Sequence, residues 1–314
     1  MSIGLAQLKK LTMRLPGSTT NLGPGFDTLG LALSVYTTVT FERLEQKRSP
    51  GQSLITLKGS AAQSLPANED NLIYKQFCQN YSGPTDDIAL TIETDIPLAR
   101  GLGSSSTAIL AALWAAQAFS SSAAPDREQI LASAARIEGH PDNVAACLLG
   151  GFIVSGYRQK GNRAICQRLN WPEQWRTLVV VPPYELSTHE ARKVLPRRVS
   201  MGQAVKNLQR TGLLIAAVVN QDEDTMGEAL LDELHEPYRM HLVPELQALR
   251  RDLTSLPILG CVLSGAGSSS LVIVHERHHG EIKSYLQTWA DKRQHKPQIL
   301  DLSVDTKGLQ AQYE

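Results

Sequence analysis

Residues Pro97, Leu98, Ala99, Arg100, Gly101, Leu102, Gly103, Ser104, Ser105, Ser106 and Thr107 are the segment of this 314-residue chain best suited to chemistry. Glycines at 101 and 103 let the backbone close in on an anion, and four hydroxyl residues follow where a helix starts. Free N–H groups and the helix dipole at such a start favour negative charge, so the segment predicts a phosphate cradle. Its hydroxyls can add hydrogen bonds or bind a metal. It is not a Walker loop, because no Gly-Lys-Ser/Thr follows. Nor is it the Gly-x-Gly-x-x-Gly of dinucleotide folds, because position 106 is Ser. Read alone, the same residues also describe a capped, buried helix behind a glycine turn.

Three further islands interrupt apolar sequence. Residues 16–30 place Asn21 and Asp27 in one Gly/Pro-rich loop, an amide and a carboxylate suited to an ammonium or hydroxyl. Residues 138–151 crowd His140, Asp142 and Asn143 at a helix start, where a carboxylate is stabilised or simply caps. The last is the Gly265-Ala-Gly267 turn, which by itself is a plain β-turn.

The elements that must hold these islands read as follows. Strands are predicted at 11–15, 29–41, 53–58 (returning after a Pro50-Gly51 turn), 88–94, 177–182, 257–263, 270–274 and 298–303. Helices are predicted at 69–81 with Asn68 as cap, from 108, and from a capping box at Asp126 and Gln129 toward Ile137. Others follow at 142–148, 187–195, 200–220, 223–233, 243–255 and 278–292. The first island, Pro16 to Gly25, reads as loop. Strands and helices mix without βαβ alternation, which predicts an α+β class, and the pattern changes near Trp171–Trp175. Two domains are expected, 1–165 and 166–314.

Composition excludes several classes. Charge balances at 31 basic and 31 acidic residues, so neither nucleic acid nor an anionic membrane is an expected partner. Met1 to Lys10 lacks a long apolar core, so no signal sequence is expected; no bilayer-length apolar run is present, and Cys78, Cys147, Cys166 and Cys261 are scattered, without a Cys-x-x-Cys pair. A cytoplasmic enzyme with reduced thiols is expected, and base rates favour a homodimer.

In this order, the islands resemble the small-molecule kinase superfamily that includes galactokinase, homoserine kinase, mevalonate kinase and phosphomevalonate kinase. The three motifs are Pro16-x-Ser-x-x-Asn-Leu-Gly-x-Gly-Phe-Asp27, Pro97-x-x-x-Gly-Leu-Gly-Ser-Ser105 and Ser264-Gly-Ala-Gly267. Residues 138–145, 186–196 and 234–239 resemble the homoserine kinase branch. The resemblance spans about residues 12–303. It implies an N-terminal domain of the ribosomal protein S5 domain 2-like type and a C-terminal α+β, ferredoxin-like domain. It also implies ATP-dependent phosphorylation of the L-homoserine hydroxyl to O-phospho-L-homoserine, on the threonine route.

That substrate is a zwitterion, so its carboxylate needs a cation. Arg192 and Arg239 are the expected partners, with Thr188 one helical turn before Arg192. Asn21, Asp27 and Gly265 join them on the substrate side, and the resemblance places Asn71 at the adenine edge. His140, Asp142 and Asn143 are the expected catalytic group. Where several relatives carry an Asp that can act as base, this chain has Asn143, as homoserine kinases do, so no dedicated base is expected. Mg²⁺ is implied too, but its usual Glu position is Ala132 here. Ser105 and Glu138 are the expected ligands, although neither Glu138 nor Glu128 matches that spacing. Alternatives are a superfamily kinase for another small alcohol, or an inactive ligand sensor of the same fold.

Overall fold

The computed structural model describes residues 8–45, 54–121, 123–161 and 163–314. The first half runs β1 (Lys10–Asn21), β2 (Gly25–Arg43), β3 (Ile55–Lys58), α1 (Leu72–Asn80), β4 (Ile88–Thr94) and α2 (Ser104–Ser120). It continues through α3 (Arg127–Glu138), α4 (Asp142–Leu149), β5 (Phe152–Tyr157) and β6 (Ala164–Leu169). The second half opens with β7 (Trp175–Val181), α5 (Thr188–Lys193), α6 (Met201–Asn220), α7 (Glu223–Ala229), α8 (Glu236–Arg239) and α9 (Pro244–Leu253). It closes with β8 (Gly260–Leu263), β9 (Ser270–His275), α10 (Glu276–Asp291), β10 (Gln298–Leu302) and β11 (Gln310–Tyr313).

Two sheets result. The first has the order β11-β1-β2-β4-β3, with β5 paired to β2 and β6 to β5. The second has the order β10-β7-β9-β8, the ferredoxin-like arrangement, and is antiparallel throughout. The α+β class therefore holds. The sheets do not part at 165/166, however. β6 spans that point within the first sheet, and β11 returns from the C-terminus to pair with β1.

Three cores explain the packing. One lies between the first sheet and α1 to α4, where α2 is buried on nearly every side by its Ala/Leu/Ile run. A second joins the two sheets through Leu29, Leu31, Leu33, Leu102, Trp171 and Trp175, and the third packs α9 and α10 on the far face of the second sheet. Trp171 and Trp175 stack edge-on with centroids 5.7 Å apart, so the change in sequence pattern marks the seam between halves.

Several expectations shift. β1 does not end at Leu15 but runs to Asn21, because Ser18, Thr19 and Thr20 pair with Ala32, Leu31 and Gly30 across a register shift at Pro16/Gly17. A proline at a bulge forfeits no ladder bond, which is how a loop-like sequence stays in a sheet. β3 is not a returning partner of β2; it pairs parallel with β4 at the sheet edge. The turn expected at 46–52 lies outside the described residues. Asn71, not Asn68, caps α1. Asp126 caps α3, but its own N–H goes to Gln117 at 2.9 Å, so no reciprocal box with Gln129 forms. Among the described residues no helix is long and apolar enough to cross a membrane.

Candidate active site

The loop between β4 and α2 turns three times through left-handed backbone, at Ala99, Gly101 and Gly103 (φ 52°, 71° and 75°). Its carbonyls are tied outward. Ala99 accepts from Leu186 N–H, Arg100 from Ser269 N–H, Gly101 from the Ser264 hydroxyl and Leu102 from Ser18 N–H. The N–H groups from Gly101 to Ser105 donate to no protein acceptor among the described residues. Four of those five residues line a cleft of about 390 Å³. Unpaired donors at the start of a 17-residue helix make an anion cradle.

Not every loop residue faces the cleft. Pro97 and Ser106 lie outside its lining, and Leu102 is fully buried in the core between the sheets. Arg100 lines it but turns its guanidinium to the carbonyls of Pro183 and Tyr184, at 2.6 and 3.0 Å. The loop is thereby fastened to the second half of the chain.

Beside the cradle, Gly139 ends α3 in left-handed backbone (φ 89°) and Pro141 leads into α4. Glu138 reaches back to α2, accepting from Ser105 at 2.9 Å and Ser106 at 3.2 Å. Asn143 is fixed at both ends of its amide: Oδ1 accepts from Ser18 at 2.9 Å and Nδ2 donates to Thr20 at 3.1 Å. Asp142 is buried and holds His140 Nδ1 at 2.6 Å and the Asn143 N–H at 2.8 Å. Burial opposes protonation of His140, but the bond and charge of Asp142, with Glu138 and Asp27 beyond, outweigh it and raise its pKa. Asp27, His140 and Asp142 bring ligand-type atoms within 4.8 Å of one another.

Across the cleft, Asn21 and Asp27 lock together by an Asp27 N–H to Asn21 Oδ1 bond of 3.0 Å, while Asn21 Nδ2 donates to Gly265 O at 2.7 Å. Arg192, in α5, grips Asp27 bidentately at 2.7 and 3.0 Å. Arg239 is only 1% exposed and has no carboxylate at ion-pair distance among the described residues. It donates instead to Ala191 O at 3.0 Å and to His235 Nδ1 at 3.2 Å. Burial, then repulsion from Arg192, lowers its pKa to about 10, so it remains a cation at neutral pH. Both guanidinium groups lie over the Phe26 ring, at 5.4 and 5.3 Å. Thr188 and Gly265 complete this end.

Three things escaped the sequence reading. An apolar chamber of Leu65, Ile73, Ile92 and Ala108, joined by Leu98 of the predicted loop, opens from the cradle, and the first four were not singled out from the sequence. Asn71 lines it, yet its amide is committed to Ile73 and Tyr74 N–H and to Pro66 O. Phe26 lies inside a quoted motif but was not singled out. Asn207, buried within α6, donates to Pro24 O at 2.6 Å and accepts from Glu233 N–H at 3.1 Å. It ties the Asp27 loop to the segment leading to Arg239, and a polar residue on the buried face of an amphipathic helix was the signal available.

Known proteins match this arrangement. A family model described as GHMP kinases N terminal domain matches residues 71–151, and one for the GHMP kinases C terminal matches 214–292. A homoserine kinase of Nostoc sp. is 36% identical over 307 residues, 97% of this chain and 99% of that protein. A homoserine kinase of Solibacter usitatus is 39% identical over 303 residues, 95% of this chain and 96% of its own. The crystal structure of a homoserine kinase from Cytophaga hutchinsonii shares the fold, with TM-score 0.81 at 22% identity over 97% of this chain and 98% of that one.

Proposed function

Because this chain belongs to the homoserine kinase family of the GHMP kinases, we propose that it transfers the γ-phosphoryl group of ATP to the side-chain hydroxyl of L-homoserine. The product is O-phospho-L-homoserine, a step of threonine biosynthesis. One observation carries the substrate end: Arg239, buried and without a carboxylate at ion-pair distance among the described residues, faces the same cleft as the Asp27–Arg192 pair. A zwitterionic amino acid answers both, its carboxylate to the arginines and its ammonium to Asp27 and Asn21. The apolar chamber suits the adenine, and the Gly101–Ser105 donors suit the triphosphate.

Catalysis in this arrangement is positioning. Asn143 sits between cradle and substrate end with both amide atoms fixed, and an amide takes no proton at neutral pH. His140, bonded through Nδ1 to the buried Asp142 carboxylate, is oriented by that bond beside the reacting end of the cleft. A loose phosphoryl-transfer transition state needs alignment and charge neutralisation more than deprotonation. Replacing Asn143 with alanine is expected to lower kcat by about 100-fold through misalignment, with both limbs of the pH–rate profile kept. Loss of a limb would make Asn143 part of a titrating system.

Glu138 and Ser105 supply hard oxygen donors at the cradle's rim, a set that fits Mg²⁺. Bound there with ATP, Mg²⁺ would neutralise charge on the transferred phosphoryl oxygens. In Glu138→Gln, the Mg²⁺ concentration for half-maximal nucleotide binding, read by calorimetry, is expected to rise by at least about tenfold. An unchanged Mg²⁺ dependence removes Glu138 from the site.

The reaction itself is checked by ATP turnover with homoserine, threonine, serine and mevalonate. Homoserine is expected to stimulate turnover most. No stimulation by homoserine overturns the proposal in favour of another alcohol or a ligand sensor.

A further inference from the structure

His235 stands directly before α8, fully buried and outside the lining of the cleft. Both of its ring nitrogens have partners. Nε2 lies 2.8 Å from Gly23 O, and Nδ1 lies 3.2 Å from Arg239 Nη1. These partners place the ring's hydrogen. A carbonyl oxygen only accepts, so Nε2 carries the hydrogen; a guanidinium only donates, so Nδ1 keeps its lone pair. The Asp232 carboxylate, also buried, is 3.6 Å from Nε2, and its oxygens accept from the N–H groups of Leu234, His235 and Glu236 at 2.7–3.0 Å.

The imidazole joins two parts of the cleft that are distant in sequence. On one side it meets the Asp27 loop, through Gly23 O and through the Phe26 ring, which stacks on it with centroids 5.1 Å apart. On the other it fixes Arg239. Nε of that guanidinium donates to Ala191 O at 3.0 Å, and Nη1 donates to His235 Nδ1 and, at 3.4 Å, to Gly265 O. Nη2 has no acceptor among the described residues. A guanidinium is planar, so holding Nε and Nη1 sets the direction in which Nη2 points. Of the three acceptors only His235 is a side chain, and it is the one bonded to the Asp27 loop. We propose that His235 is a positioning residue for amino-acid recognition: its Nε2–H tautomer holds Arg239 at a set distance from Asp27, the separation between the carboxylate and the ammonium of one α-amino acid. This rests on homoserine as the substrate of the cleft.

Steady-state kinetics of the full chain tests it, with two variants that divide the ring's bonds. The amide of glutamine lies as far along the side chain as Nε2, and that of asparagine as far as Nδ1. His235→Gln therefore reaches Gly23 O and leaves Arg239 Nη1 without its acceptor, whereas His235→Asn puts an amide oxygen there. Loss of a hydrogen bond to a charged group is expected to raise the homoserine KM of His235→Gln by about 10- to 100-fold, with kcat and the KM for ATP unchanged. His235→Asn is expected to recover most of that loss. In an Arg239→Met background, His235→Gln is expected to lower kcat/KM for homoserine no further, because its effect runs through Arg239. A homoserine KM in His235→Gln equal to that of the wild type overturns the proposal, and so does an additive loss in the double variant. If homoserine fails to stimulate the wild type, the substrate assignment falls and this proposal with it; if the wild type responds and His235→Gln matches it, this proposal alone falls. The tautomer is read in the unsubstituted protein by ¹⁵N NMR of ring-labelled histidine, the His235 signal being the one lost in His235→Gln. Hydrogen on Nε2 alone is expected, and hydrogen on Nδ1 overturns the proposal.

Discussion

Replacing Arg239 with methionine is expected to raise the KM for homoserine by about 100- to 1,000-fold, while the KM for ATP stays nearly constant. The protein holds this guanidinium at 1% exposure without a carboxylate at ion-pair distance among the described residues. Burial and the charge of Arg192 press its pKa down to about 10 against the pull of Asp27, Asp232 and Glu236. Removing a buried, unpaired charge relieves desolvation, so thermal stability is expected to hold or rise slightly. A structural arginine behaves the opposite way: its removal lowers the melting temperature and leaves the homoserine KM alone. Arg239→Lys keeps the charge but loses the planar fork that meets a carboxylate through two bonds. It is expected to fall between. Steady-state kinetics with a melting curve on the three proteins decides between the two roles.

How much of this was legible in the sequence depends on the distance between partners. The proposed phosphate loop is local: glycines, hydroxyls and a helix start lie within eleven consecutive residues, and the left-handed turn and helix start are found there. The Asp27–Arg192 pair spans 165 residues, so only the demands of a zwitterion suggested both ends, and nothing in the spacing said that they touch. Glu138 lies off the spacing that the resemblance implies. Counting helical turns back from His140 points to Ala132, but Gly139 breaks α3 in left-handed backbone and leaves Glu138 as its last residue. From there its carboxylate reaches Ser105. Leu102 and the chamber residues mislead in opposite directions. An apolar residue inside a binding motif turned out to be core, and Leu65, Ile73, Ile92 and Ala108, outside any motif, turned out to line the cleft. Side-chain type alone does not say which side of a wall a leucine faces.

Gly101→Ala is expected to lower kcat/KM by at least about 1,000-fold, and the reason can be separated from glycine chemistry in general. At φ 71° an L side chain meets the left-handed penalty of roughly 1–2 kcal/mol. The larger effect is steric. A Cβ there would stand 2.0 Å from Ser264 O and 2.8 Å from Gly267 O, both backbone atoms of the second half of the chain. Backbone cannot swing aside as a side-chain tip does, so the loop must lift off the Ser264–Gly267 turn. That movement breaks the Ser264 hydroxyl bond to Gly101 O and displaces the N–H groups of the proposed phosphate cradle. A displacement of about 1 Å at the reacting groups already costs on the order of 100-fold in rate. Gly59→Ala is the matched control, because it has a similar φ of 80° but its nearest neighbour, Thr94 O, is 3.7 Å away. It is expected to lose only the conformational contribution in stability and none of the turnover. If the two variants instead lose activity alike, close approach between the halves is not what sets the phosphate loop. The cradle would then be positioned by α2 and β4 alone.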